Sequence, residues 1–135
     1  MTGVELARRA VACPGWRWMP GMRYQIVNER GQIGGWMRAS DRVSHLDALY
    51  PVAGESEVAL PDLDDPATLG CLLALVREAW GSHVSSIRTG DGWSVRHMGR
   101  DGWAAGLSVV GITPCEAEAL VAALEAAPRR EAAPC

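Results

Sequence analysis

The sequence predicts an α+β protein: an antiparallel sheet, made of a β-hairpin plus a three-stranded meander, packed against about three helices. Three observations carry that expectation. Three stretches with apolar residues at helical spacing open on the capping residues Thr2, Asp65 and Thr113. Other stretches alternate like strands around Gly- and Asp-rich turns. The order helix, hairpin, irregular segment, helix, meander, helix groups strands together instead of alternating them with helices. At 135 residues the chain suits a single domain, expected over 1–127, with a frayed tail over 128–135.

Composition narrows the class further. The apolar fraction of 48% and charged fraction of 21% are those of an ordinary globular protein, and no stretch nears the roughly 18 unbroken apolar residues of a membrane span. The opening MTGVELARRAVAC lacks the basic start and apolar run of a secretory signal, so a cytoplasmic protein is expected. A net charge of -3 gives no general attraction to double-stranded nucleic acid. Every basic residue other than histidine is Arg, and Phe is absent although there are 6 Trp. Lys and Phe use A-rich and T-rich codons, which points to a GC-rich genome. Cys13, Cys71, Cys115 and Cys135 are too dispersed for a disulfide framework and form no C-x-x-C pair. With His45, His83 and His97 they lack zinc-site spacing, so neither a metal nor a cofactor is expected.

The first helix is expected from Gly3 to Cys13. Thr2 and Glu5 form a capping box, Leu6, Ala7, Ala10 and Val11 make the apolar face, and Pro14 with Gly15 stops it. Next comes GWRWMPGMR, the segment with the strongest binding character, whose candidate ligand residues are Trp16, Arg17, Trp18 and Arg23. Indole rings stack on bases and Arg reaches phosphate, a combination that suits nucleotides and other small ligands. The plainer reading has both Trp covering the edge of the core, with Arg17 over one ring. A hairpin follows, with strands over Met22–Asn28 and Gln32–Arg38 and a turn at 29–31. The pair Gly34–Gly35 marks an expected bulge. As a phosphate cradle that pair is weak, because no helix follows it.

Residues 39–60 carry the least pattern. Val43, Leu46, Leu49 and Tyr50 suggest a helical turn before Pro51, and 54–57 an exposed loop. His45 and Asp47, at i and i+2, do not share a helical face and make a poor acid–base pair. Asp62, Asp64 and Asp65 read as helix-capping carboxylates in preference to a cation site, because no calcium-loop spacing follows. The second helix then runs from Pro66 to Trp80, with Asp65 as N-cap and Gly81 closing it. Its expected core face is Leu69, Leu72, Leu73, Val76 and Trp80, and Cys71, Ala74, Leu75 and Ala79 imply cover on more than one side.

The meander is expected as HVSSIRT, WSVRHM and WAAGLSVVG, joined by tight turns at Asp91–Gly92 and Asp101–Gly102. Trp93, Val95, Trp103, Leu107 and Val109 would face the helices, while Ser94, Arg96, Ala104 and Ser108 face away. The repeated D-G-W is better explained by turn chemistry than by a sugar-binding platform. The last helix is expected from Pro114 to Ala127, capped by Thr113 and Glu116, burying Ala117, Leu120, Val121 and Leu124. That would place Cys115 in its first turn, where the helix pole favours thiolate, with His97 as a conceivable base. No third residue orients the pair, and no catalytic residue is assigned.

The stretches ELARRAVACPGWRWMPGM and LPDLDDPATLGCLLALVREAW, with the terminal EAEALVAAL, resemble a group of short proteins encoded by bacteriophages and prophages. The resemblance implies a bacterial host cell as the setting and supplies no catalytic residue. Three function classes follow. First is a non-enzymatic phage accessory protein that binds a host protein, with a homodimer also possible and no membrane partner. Second is a small-ligand or nucleotide-binding protein, and third a thiol-dependent enzyme.

Overall fold

The computed structural model of the chain describes residues 3–28, 31–40, 58–81, 83–97 and 111–128, excepting the side chains of 31–34. In chain order the elements are α1 (Gly3–Ala12), β1 (Arg23–Asn28), β2 (Gly31–Arg38), β3 (Val58–Pro61), α2 (Pro66–Trp80), β4 (Val84–Thr89), β5 (Gly92–His97) and α3 (Glu116–Ala126). These form an α+β protein with two small antiparallel sheets, β2-β1-β3 and β4-β5. Among the described residues, no helix is long and apolar enough to cross a membrane. The chain falls into two compact units, 1–11 with 17–71 and 12–16 with 72–135.

In the first unit, α1 buries Leu6, Ala7 and Ala10 on one stripe, at the i, i+1, i+4 spacing that its sequence sets. The capping residue assigned to it, Thr2, lies outside the described residues. The sheet is centred on β1, whose Tyr24, Ile26 and Val27 are buried. Met22, just before it, is fully buried, and Gly21 turns the chain there at φ 94. Trp18 packs edge-on against Tyr24, with centroids 5.7 Å apart and planes at 68°. The hairpin has the bulge that its glycines foretold. Tyr24 faces Met37 and Ile26 faces Ile33, so Gly34, Gly35 and Trp36 stand opposite the single residue Gln25. On its other side β1 pairs with β3, from Tyr24 with Pro61 to Val27 with Val58. This strand was not expected: VALP is only one turn of apolar pattern long. Among the described residues β3 is an edge, where the missing N–H of Pro61 leaves no ladder bond open on the outer side.

The second unit holds the greater part of α2, the β4–β5 hairpin and α3. Leu72, Leu75, Val76, Val84, Val95, Leu120 and Val121 are its buried centre, each contributing roughly 1.5 to 3 kcal/mol. Helix α2 has the expected limits: Asp65 precedes Pro66, and Gly81 at φ 64 donates to the carbonyls of Arg77 and Glu78. Its buried stripe differs from expectation. Leu75 belongs to it, while Leu69, Leu73 and Trp80 are half-buried and Ala74 is exposed, so apolar residues off the stripe are open to solvent. Trp80 is anchored through its indole N–H to the Ala123 carbonyl at 2.9 Å.

The second hairpin turns one residue earlier than expected. Thr89 pairs with Gly92, so Gly90 and Asp91 make the loop, and no described non-glycine residue, Asp91 included, has positive φ. Gly92 instead opens β5 at φ 144, and a Cβ there would collide with the Thr113 carbonyl oxygen. That close approach allows Trp93 and Thr113 to exchange two backbone hydrogen bonds of 2.8 Å each. Ser94, expected to face away, is buried beside Val95. The third meander strand and Trp103 lie outside the described residues, as does most of the 39–60 segment. Helix α3 begins later than expected, at Glu116, because Cys115 itself is the N-cap with φ -141 and ψ 157. Thr113 donates its hydroxyl to the Cys115 carbonyl at 2.8 Å, and Glu116 accepts from the Ser86 hydroxyl at 2.6 Å in place of closing a capping box.

Candidate functional site

The register of the first hairpin creates an electrostatic problem whose solution shapes the surface. Arg23 and Arg38 stand directly opposite each other on β1 and β2, and like charges so placed repel. The turn before α2 brings one carboxylate to each. Asp65 takes Arg38 in a two-pronged pair, with Nη1 and Nη2 each 3.1 Å from a separate oxygen. Asp62 lies 3.5 Å from the Arg23 guanidinium, and its backbone N–H donates to the Arg23 carbonyl at 2.8 Å. Both aspartates are buried, which their hydrogen bonds make tolerable.

Asp65 does more than neutralise Arg38. Its Oδ2 accepts from the Thr68 N–H at 3.0 Å and the Thr68 hydroxyl at 2.8 Å, the N-cap geometry of α2. Thr68 Oγ1 in turn accepts from the Arg23 N–H at 2.8 Å, tying the start of β1 to the start of α2. The Arg38 bonds hold the Asp65 carboxyl well below the usual range, against the opposing effect of burial, and the Thr68 bonds add to them. Arg38 is correspondingly raised by its Asp65 bond, and Nη1 also donates to the Gly21 carbonyl at 2.7 Å. This cluster is a lock, with the Asp65 carboxylate ionised near neutral pH.

The lock fixes what stands at the surface. The Arg23 guanidinium carbon sits 5.1 Å above the centre of the Trp36 ring, a cation–π contact. Trp36 is 39% exposed and the adjacent Met37 43% exposed. An ordinary strand would turn one of two neighbours inward; the bulge at Gly34–Trp36 permits both outside. Among the described residues β2 pairs only with β1, so the Trp36 indole and the Met37 thioether stand on an edge strand, with the Arg23 guanidinium of β1 over the indole.

Of the sequence-derived candidates, Arg23 takes part in this surface. Trp18 is buried against Tyr24 and Arg17 is exposed. Trp16 is half-buried and belongs to the second unit. Trp36, Met37 and Arg38 were passed over, although the Gly34–Gly35 pair immediately before them was the available signal. Asp64 is exposed and donates its N–H to Asp62 at 3.1 Å. Among the described residues no group of three or more His, Cys, Asp and Glu could hold a metal. Cys13, Cys71 and Cys115 are not in disulfides, and burial, then the Asp65 charge, pushes the Cys71 thiol up. Cys115 is exposed. Its neighbour Thr113 pairs with Trp93 at the start of β5, four residues and roughly 13 Å of strand from His97. The His97 ring itself packs edge-on against Trp80, with centroids 5.2 Å apart.

No family profile, no curated protein and no solved structure matches this chain.

Proposed function

We propose that the chain is a non-enzymatic phage or prophage accessory protein that docks a host protein through the surface at Trp36. The observation that carries this reading is an exposed Trp held beneath Arg23 on a bulged edge strand. Trp and Arg are the residue types most enriched at the energetic centres of protein interfaces. A ring already fixed by a guanidinium, worth about 0.5 to 1 kcal/mol at an exposed site, loses little side-chain freedom on binding. The ionised, fully bonded Asp65 is suited to positioning rather than acid–base chemistry. The phage setting is supported by the resemblance of the first two helical stretches and the last.

The test uses the intact chain as bait in lysate of a bacterial host, beside Trp36→Ala and Trp36→Ala/Met37→Ser. A discrete host protein retained by the parent and lost by both variants, with unchanged circular dichroism, is the expected result. Equal retention by all three, or none by any, removes the reading. Saturable quenching of Trp fluorescence by a mononucleotide, abolished by Trp36→Ala, would favour the small-ligand alternative.

A further inference from the structure

We infer that the second unit carries a phosphate-binding site at Ser85, formed by the guanidiniums of Arg77 and Arg96 on one face of the β4–β5 hairpin. Ser85 on β4 and Arg96 on β5 are direct partners in the register. Their side chains therefore leave the same face as cross-strand neighbours, with Cβ atoms about 4.5 to 5.5 Å apart. Arg77, near the end of α2, reaches the same place. Its Nε donates to the Val84 carbonyl at 2.8 Å and its Nη2 to the Ser85 hydroxyl oxygen at 3.2 Å. Two cations converge on one hydroxyl.

The site holds donors without a counter-charge. In the first unit the facing Arg23 and Arg38 each have an aspartate. Among the described residues, no carboxylate pairs with Arg77 or Arg96. Arg96 is half-buried, and its Nε is buried with no acceptor among the described residues. A charged donor taken from water and left open is costly, and an acceptor brought by a ligand removes that cost. Ser85 completes the set, because its oxygen accepts from Arg77 and its own proton is left to give.

Charge and geometry select phosphate over carboxylate. Two guanidiniums match the charge of about -1.5 to -2 that a phosphate monoester carries near pH 7. Its three acceptor oxygens do not share a plane with the ester bond, so they can meet donors arriving from α2, β4 and β5 together. A carboxylate offers one charge and two oxygens in a plane. The ligand chemistry is a terminal phosphate, of the free ion or of a small ester.

The experiment titrates the full chain with inorganic phosphate, phenyl phosphate and acetate at one ionic strength, following the amide signals of Ser85 and Arg96 by NMR. Saturable shifts with a phosphate, and much weaker binding of acetate, are expected. Arg96→Gln should weaken binding roughly tenfold, the scale of one hydrogen bond to a charged group, and Ser85→Ala roughly threefold. Arg88 is exposed on the opposite face of β4. Arg88→Gln removes the same charge and should change affinity by less than about twofold. Phosphate should also raise the melting temperature of the parent and leave that of Arg96→Gln unmoved. Tighter binding of phenyl phosphate assigns the site to an ester, and tighter binding of the inorganic ion to free phosphate. No saturable shift, equal binding of acetate, or equal weakening by Arg88→Gln and Arg96→Gln overturns the site. None of these outcomes depends on Trp36.

Discussion

At the residue scale the most consequential side chain is Asp65, which serves as the α2 cap and as the counter-ion of Arg38. Its capping role was legible, because Asp followed by Pro and an apolar helical repeat has a local cause. Its ion pair was not, because Arg38 lies 27 positions away and reaches it only through the register of β1 and β2. Asp65→Asn keeps a weaker cap and loses the charge. We expect a stability loss of about 1 kcal/mol at neutral pH, the upper end for a partly exposed bidentate ion pair, measured by urea denaturation. The pH dependence has a definite sign. Between its lowered folded pKa and its unfolded value of about 3.9, the Asp65 carboxyl is deprotonated in the folded chain and protonated in the unfolded one, so its stabilisation is complete only above the unfolded value, where both states are ionised. It is lost as pH falls toward the folded pKa. The parent should therefore lose stability between about pH 4 and pH 2 more steeply than Asp65→Asn, and parallel curves would refute the assignment.

At the element scale, legibility followed the range of the forces involved. The limits of α2, the two hairpins and the bulge at Gly34–Gly35 have local causes and were readable. Strand β3 was not, since four residues ending in proline become a strand only when β1 offers an edge. The turn at Gly90–Asp91 shows a related limit: Asp91–Gly92 marks a turn nearby, but Gly92 is required by the Thr113 carbonyl that crosses it. This distinction is measurable. Gly92→Ala sets a side chain at φ 144 and against backbone, and should cost about 1 to 3 kcal/mol. It should also speed amide exchange at Trp93 and Thr113, which share the bridge. Gly90→Ala, with nothing within 4 Å of the added carbon, should change stability by less than about 0.5 kcal/mol. Equal effects of the two would mean that the turn, and not the crossing, sets the requirement.

At the scale of the whole molecule, function was the least legible property, because the same residue types serve folding and recognition. Trp18 and Trp36 differ little as sequence: each lies near an Arg, a Met and a glycine. Position in the sheet separates them. Trp18 is 6% exposed and packs on Tyr24, whereas Trp36 is 39% exposed beneath Arg23. Only after the bulge is placed does Trp36 become a candidate for recognition, since an unbulged strand would alternate it inward or outward with Met37. Trp18→Ala should therefore cost about 3 to 5 kcal/mol through the cavity it leaves, and any lost binding should track lost folding. Trp36→Ala gives up little burial and one exposed cation–π contact, so its stability should fall by less than about 1 kcal/mol. Denaturation curves set beside partner capture at a temperature where both variants are folded make the comparison. If Trp36→Ala binds like the parent while folded Trp18→Ala does not, recognition belongs with the segment around Trp18, and the exposed indole on β2 is only a feature of the surface.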